Sequence, residues 1–241
     1  MWLFSKTTSL ADSDILNGMT DYHSHILPGV DDGAKTMEES LEILAKMECL
    51  GVRDVWLTPH IMEDIPNTTR DLEARFKDLK MAYKGIIHLF LAAEYMMDNL
   101  FEERLTENDL LPIGKNCSYL LIETSYFNPP MRLQDILLRI QRKGYCPLLA
   151  HPERYAYMNE EDYRFLREVG VKFQLSLLSL TGIYGSEVRK KAEWLLKSGY
   201  YHLCGSDIHH FVVLERVIAE KKISKHMLEE LRFLCHGTTF G

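Results

Sequence analysis

Asp21-Tyr22-His23-Ser24-His25 sets two histidines one residue apart at the end of an apolar stretch, with Asp31-Asp32-Gly33 close behind. Alternate residues of a strand point to the same face, so two imidazoles at this spacing converge on one point. That geometry suits a metal ion and suits an apolar core badly. Further candidate ligands follow at His60, Glu94, Glu123, His151, Asp207 and His209, each just after a short apolar run.

Those runs define the elements that must position the ligands. Strands are predicted over 19–25, 53–58, 86–93, 117–122, 146–150, 171–177 and 200–205. Amphipathic or capped helical segments intervene, over 36–50, 68–83, 99–105, 133–143, 160–169 and 186–198, and two more close the chain at 213–221 and 224–234. Seven β-then-α units with short connections predict an α/β protein with a parallel sheet closed, or nearly closed, as a distorted (β/α)7 TIM-like barrel. In such barrels chemistry gathers at the C-terminal ends of strands, and candidate ligands here follow six of the seven predicted strands.

Taken singly, each residue has a plainer role. A lone His60 or His151 is more often a packed or surface histidine, Glu94 and Glu123 could end core strands in ion pairs, and Asp207 could cap a helix. Jointly the plainer roles fail, because so many carboxylates at one barrel mouth repel one another unless cations neutralise them. One ion cannot use this many ligands. Mixed nitrogen and oxygen donors suit manganese, iron(II) or zinc, and the absence of thiolates disfavours a structural zinc site. Two or three ions would polarise a phosphoryl oxygen and activate water, so the chemistry indicated is metal-assisted hydrolysis.

Size and charge agree. The 241 residues suffice for one large domain, read as 1–241 with residues 1–18 as an N-terminal extension, its first part mobile. A formal charge of −7 argues against nucleic acid as the main partner. No stretch is apolar enough for a secretory signal or a membrane span, so a cytoplasmic protein is expected. Cys49, Cys117, Cys146, Cys204 and Cys235 are scattered and odd in number, which predicts reduced thiols, with Cys117 and Cys146 in the core. A cysteine-dependent tyrosine phosphatase needs an arginine six positions after its nucleophile. Val55, Glu123, Pro152 and His210 stand there instead, and Cys235 is too near the end.

The motifs Asp21-Tyr-His-Ser-His25, Thr58-Pro59-His60, Ala92-Ala93-Glu94, His151-Pro-Glu-Arg-Tyr155 and Ser206-Asp-Ile-His209 together resemble the polymerase and histidinol phosphatase (PHP) superfamily. Within it, the stretch from His25 to Gly33 followed by Met37-Glu38-Glu39-Ser40 is similar to the bacterial manganese-dependent tyrosine phosphatases of capsule and exopolysaccharide clusters. The resemblance covers about Asp21 to His210 and implies the PHP fold and a three-ion site. It implies that His23, His25 and Asp207 hold one ion, that Glu94 bridges it to a second completed by Glu123 and His151, and that Asp32, His60 and His209 hold the third. Arg154 corresponds to the arginine that grips the substrate phosphate, Asp32 is chosen over Asp31 by the resemblance alone, and Asp21 and Glu153 would orient ligands. The implied partner is a phosphotyrosine protein, the tail of a bacterial tyrosine kinase that controls polysaccharide export. A small-molecule phosphatase of the histidinol phosphate type, a nucleic-acid phosphoesterase as in polymerase-associated relatives, and a non-catalytic metal-binding relative are the alternatives. The loops 61–69 and 126–131 are expected to rim the site.

Overall fold

The apolar runs that end in ligand-type residues form parallel strands, and their order in space brings those ends together. The structure is a computed structural model that describes residues 7–114, 118–220 and 222–236. In chain order the elements are β1 (Thr7–Ser9), β2 (Thr20–Ser24), α1 (Met37–Cys49), β3 (Asp54–Leu57), β4 (His60–Ile61), α2 (Thr69–Ala82), β5 (His88–Leu91), β6 (Glu94–Met96) and α3 (Asn99–Glu107). They continue as β7 (Tyr119–Glu123), α4 (Leu133–Arg142), β8 (Cys146–Ala150), α5 (Glu160–Glu168), β9 (Lys172–Ser176), α6 (Ser186–Lys197), β10 (Tyr201–Gly205), α7 (Phe211–Glu220), β11 (Lys222–Ser224) and α8 (Lys225–His236).

Two parallel sheets result, in the orders β2-β3-β5 and β4-β6-β7-β8-β9-β10. The second and third predicted strands are each broken in two. Pro59 cannot donate to a ladder, and β3 steps across Thr58-Pro59 into β4. Likewise β5 steps across Ala92-Ala93 into β6. Both steps stay hydrogen bonded: Ala92 N–H donates to Leu57 O at 2.9 Å and Glu94 N–H to Pro59 O at 3.1 Å. Just past β10, Asp207 N–H donates to His23 O at 2.7 Å, and His25 N–H donates to Ile208 O at 2.9 Å, tying that end to β2.

β2 and β7 to β10 are largely buried on both faces, whereas β5 exposes His88 and Phe90 on one, and the period of two sorts their side chains. In β7, Leu121 joins Tyr22, Ala92, Leu148, Ala150 and Leu203 in an inner cluster, while Leu120 and Ile122 pack outward into the larger core under the helices. Hydroxyl and amide caps start the helices: Thr36 Oγ1 accepts from Glu39 N–H at 3.2 Å, and Asn159 with Asp162 makes a reciprocal capping box on α5.

Two expectations are corrected. Residues 7–18 are not a mobile extension: β1 pairs antiparallel with β11, and Leu10, Ile15 and Leu16 are buried in the main core. Residues 1–6 lie outside the described residues, as do Cys117 and Lys221. Cys146 is only half-buried, whereas Cys204 and Cys235 are the buried thiols. Among the described residues no helix is long and apolar enough to cross a membrane.

Candidate metal centre

Every strand-end residue singled out from the sequence faces one polar cluster. His23 and His25 project from β2 and the residue after it, His60 from β4, Glu94 from β6 and Glu123 from β7. His151 follows β8, and Asp207 and His209 follow β10. Two close approaches set the cluster's compactness. A Cβ on Gly205 would lie 2.3 Å from His23 Cβ, and one on Gly33 would lie 2.0 Å from His25 O, so neither position admits a side chain. His151 and Asp207 hold left-handed backbones, with φ of 34° and 56°. Such conformations are costly for residues with a Cβ and persist where surrounding structure enforces them.

At the centre, His23 Nε2 and His25 Nε2 lie 3.0 Å apart. Glu94 Oε2 is 3.2 Å from the first and 3.3 Å from the second, and Asp207 Oδ1 is 3.5 Å from each. The outer ring nitrogens are already engaged: His23 Nδ1 with Gln174 Oε1 at 2.7 Å, and His25 Nδ1 with Asp31 Oδ2 at 2.8 Å. Both acceptors fix the tautomer that carries its proton on Nδ1 and turns the Nε2 lone pair inward. With both Nε2 atoms deprotonated, four acceptors converge, which is the donor set of a cation.

The neighbouring groups repeat the pattern. His151 Nε2 lies 3.0 Å from Glu94 Oε1 and 3.9 Å from Glu123 Oε2. His60 Nδ1 lies 3.2 Å from Glu94 Oε2 and 3.1 Å from Glu123 Oε1, and both His60 Nδ1 and Glu123 Oε1 are buried without a hydrogen bond. Asp32 Oδ1 is 3.6 Å from both His60 Nε2 and His209 Nε2. Four groups therefore bring ligand atoms within 4.8 Å of one another: His25-Asp32-His60-His209, His23-His25-Asp207, His23-Glu94-His151 and His60-Glu94-Glu123. His60 stands between two of them, offering one ring nitrogen to each side. The residues present fit a cluster of divalent ions.

The charges lean the same way. Burial works to lower His23, but the Glu94 and Asp207 carboxylates more than offset it and hold its pKa above the ordinary range. Burial works to raise Glu94, and the His23 and His60 imidazoles hold it well below the carboxylate range instead. His209 is pushed down to about 4 by burial and by His25. In the metal-free protein imidazolium charge thus balances the ionised carboxylates, and metal binding would displace those protons.

Arg154 closes one side. Its Nη2 bonds Asp207 Oδ2, its Nη1 donates to Tyr126 Oη at 3.3 Å, and its guanidinium lies 3.8 Å over the Tyr184 ring. Burial works to lower its pKa, and Asp207 raises it further above the ordinary range, so it stays cationic.

The aspartate pair divides its work. Asp31 accepts from His25, from Gly33 N–H at 2.9 Å and from His60 N–H at 3.1 Å, leaving Asp32 with the more exposed carboxylate beside His60 and His209. His210 turns away to Glu39 at 3.2 Å. Asp21 and Glu153 differ from expectation, since neither orients a histidine ring. Asp21 Oδ1 accepts from Ser206 N–H at 2.7 Å and His23 N–H at 3.2 Å, bracing the backbone. Glu153 accepts from Ser176 N–H at 3.1 Å and Tyr201 Oη–H at 2.9 Å, anchoring the turn that carries Arg154. The ring-orienting role falls to Gln174, which the sequence reading passed over. It lies in β9, whose end carries no ligand, and only its full burial against His23 marks it.

Known proteins resemble this chain over most of its length. The YwqE tyrosine-protein phosphatase of Bacillus subtilis is 28% identical over 198 residues, covering 80% of this chain and 78% of its own. The CpsB tyrosine-protein phosphatase of Streptococcus pneumoniae is 30% identical over 211 residues, covering 80% of this chain and 83% of its own. A solved structure from the study of these two proteins, described there as metal-dependent tyrosine phosphatases, superposes with a TM-score of 0.71 at 27% identity. That match covers 92% of this chain and 96% of the solved one. The family model for capsular polysaccharide synthesis, CpsB/CapC, matches residues 19–227, and the chain belongs to that family.

Proposed function

We propose that this protein is a metal-dependent protein-tyrosine phosphatase built as a distorted (β/α)7 TIM-like barrel of the PHP type. Manganese is the resident metal in this reading, with two or three ions held by His23, His25, Asp32, His60, Glu94, Glu123, His151, Asp207 and His209. The observation that carries the reading is the convergence of the Glu94 and Asp207 carboxylates, each 3.2–3.5 Å from His23 Nε2 and His25 Nε2, which are themselves 3.0 Å apart, with Arg154 on the same Asp207. Bound divalent ions would supply positive charge to the phosphoryl oxygens and make a water acidic enough to attack at neutral pH.

The chain's own residues supply the rest. Arg154 presents a permanently charged, planar donor set that suits two phosphoryl oxygens at once and stabilises their charge as the ester bond breaks. Gln174 and Asp31 keep the two central imidazoles in the ligating tautomer. Tyrosine's phenolate is a good leaving group, its conjugate acid having a pKa of about 10, so little acid assistance is required. The substrate is a phosphotyrosine-bearing protein, the tail of a bacterial tyrosine kinase that controls capsular or exopolysaccharide export, and the enzyme acts in the cytoplasm. Membership of the capsule-synthesis family supports this reading.

Protein stripped by a chelator and reloaded with manganese should release phosphate from a phosphotyrosine peptide much faster than from histidinol phosphate. Faster turnover of histidinol phosphate would make it a small-molecule phosphatase, and turnover of neither would make it a non-catalytic relative.

A further inference from the structure

We propose that Tyr126 and Tyr184 form an aryl-binding slot on either side of Arg154, selecting aromatic over aliphatic phosphate esters. The proposal rests on the phosphatase reading above and names the residues that would set its substrate class. Tyr126 stands in the loop after β7 and Tyr184 in the segment between β9 and α6, so both follow strand ends that face the cluster. The Tyr126 ring lies 6.0 Å from the His151 ring, and its hydroxyl accepts from Arg154, which places it beside both the metal centre and the guanidinium. The Tyr184 ring lies against the guanidinium face.

Neither ring is core packing. Tyr126 is 40% exposed and Tyr184 is 37% exposed, and both rest on the most polar region of the molecule. Their neighbours in sequence, Phe127 and Ile183, are 74% and 40% exposed, so the same two segments carry further apolar groups at the surface. Arg154 Nε is buried without a hydrogen-bond partner.

A phosphoryl group shared between Arg154 and the metal centre leaves its ester oxygen pointing out past the two tyrosines. A phenyl ester reaches beyond them and offers each a flat face. A serine or threonine ester is shorter and would have to bring its peptide backbone down among the rings. Aromatic pairing of this kind discriminates by about 0.5–1.5 kcal/mol, or roughly two- to tenfold.

The test measures binding of phenylphosphonate and ethylphosphonate to the manganese-loaded protein by calorimetry, alongside turnover of phosphotyrosine and phosphoserine peptides of one sequence. The native protein should prefer the aryl ligand severalfold. Tyr126→Leu and Tyr184→Leu should each cut the aryl-to-alkyl ratio by roughly two- to tenfold, while Tyr126→Phe and Tyr184→Phe keep it. Equal affinity of the native protein for both phosphonates overturns the slot. So does an equal loss for both ligands in the leucine variants, which would mean the rings only position Arg154. If the aryl preference is present and is lost in the leucine variants, but no phosphotyrosine is hydrolysed, the slot stands and the phosphatase reading fails.

Discussion

Replacing Gln174 with leucine should weaken metal binding more than it weakens the fold. Gln174 is fully buried; its Oε1 lies 2.7 Å from His23 Nδ1 and its Nε2 donates to Tyr22 O at 3.2 Å. Leucine has similar bulk, so the core loses little packing. It leaves a buried imidazole N–H and a buried carbonyl with their partner removed, at about 1–3 kcal/mol each. The imidazole has a way out: its proton can move from Nδ1 to Nε2. There it occupies the lone pair that faces His25, Glu94 and Asp207, so much of the penalty becomes lost metal affinity. Outer-shell losses of this kind cost roughly 10–100-fold. Calorimetric titration of manganese into the stripped Gln174→Leu protein should show that loss. Gln174→Glu, which keeps an acceptor for Nδ1, should stay within about threefold of native on the same reasoning. A leucine variant that binds manganese as tightly as the native protein would refute the reasoning.

The adjacent aspartates should separate cleanly. Asp31→Ala removes the acceptor of three donors and should cost the metal-free protein about 2–4 kcal/mol in urea unfolding, whereas Asp32→Ala should leave that stability nearly unchanged and reduce the number of ions bound. Gly205→Ala forces a Cβ to within 2.3 Å of His23 Cβ and should destabilise by at least about 3 kcal/mol or abolish metal binding, read by thermal unfolding with and without manganese. His202, pushed down to about 4 by burial and by Lys172, stays neutral in the fold while the unfolded chain takes up a proton near pH 6.5. Stability tied to the neutral ring is therefore complete above that pH and lost as pH falls towards 4, and His202→Gln should flatten this part of the urea-midpoint profile of the stripped protein.

Much of the site could be read before any coordinates because its ligands end apolar runs, and a parallel α/β arrangement gathers strand ends. His23, His25, Glu94, His151 and Asp207 needed only approximate strand boundaries to converge. What escaped was set by tertiary contact. Gln174 looks like any polar residue in a strand until its neighbour in β2 is known to be His23. Asp21 and Glu153 stand beside ligands in sequence, yet their oxygens take backbone N–H groups of His23, Ser206 and Ser176 and the Tyr201 hydroxyl. The β1–β11 pair joins three-residue strands at opposite ends of the chain, too short and too distant for a periodic signal. The splitting of two strands into β3/β4 and β5/β6 falls at a proline and an alanine pair, which interrupt the ladder while keeping its register, Leu57 opposite Leu91 and His60 opposite Glu94. Tyr184 carries no local motif, and only its stacking on Arg154 marks it.

The central claim is that the nine histidine and carboxylate ligands hold ions that perform phosphate ester hydrolysis. Its most direct measurement is a manganese titration of the stripped protein, following phosphate release from a phosphotyrosine peptide together with metal bound per chain. The account predicts no turnover without metal, a rise that saturates as two or three ions bind, and loss of that rise in His151→Ala and Arg154→Ala. Undiminished turnover in the presence of excess chelator, or full turnover in either variant, would contradict it.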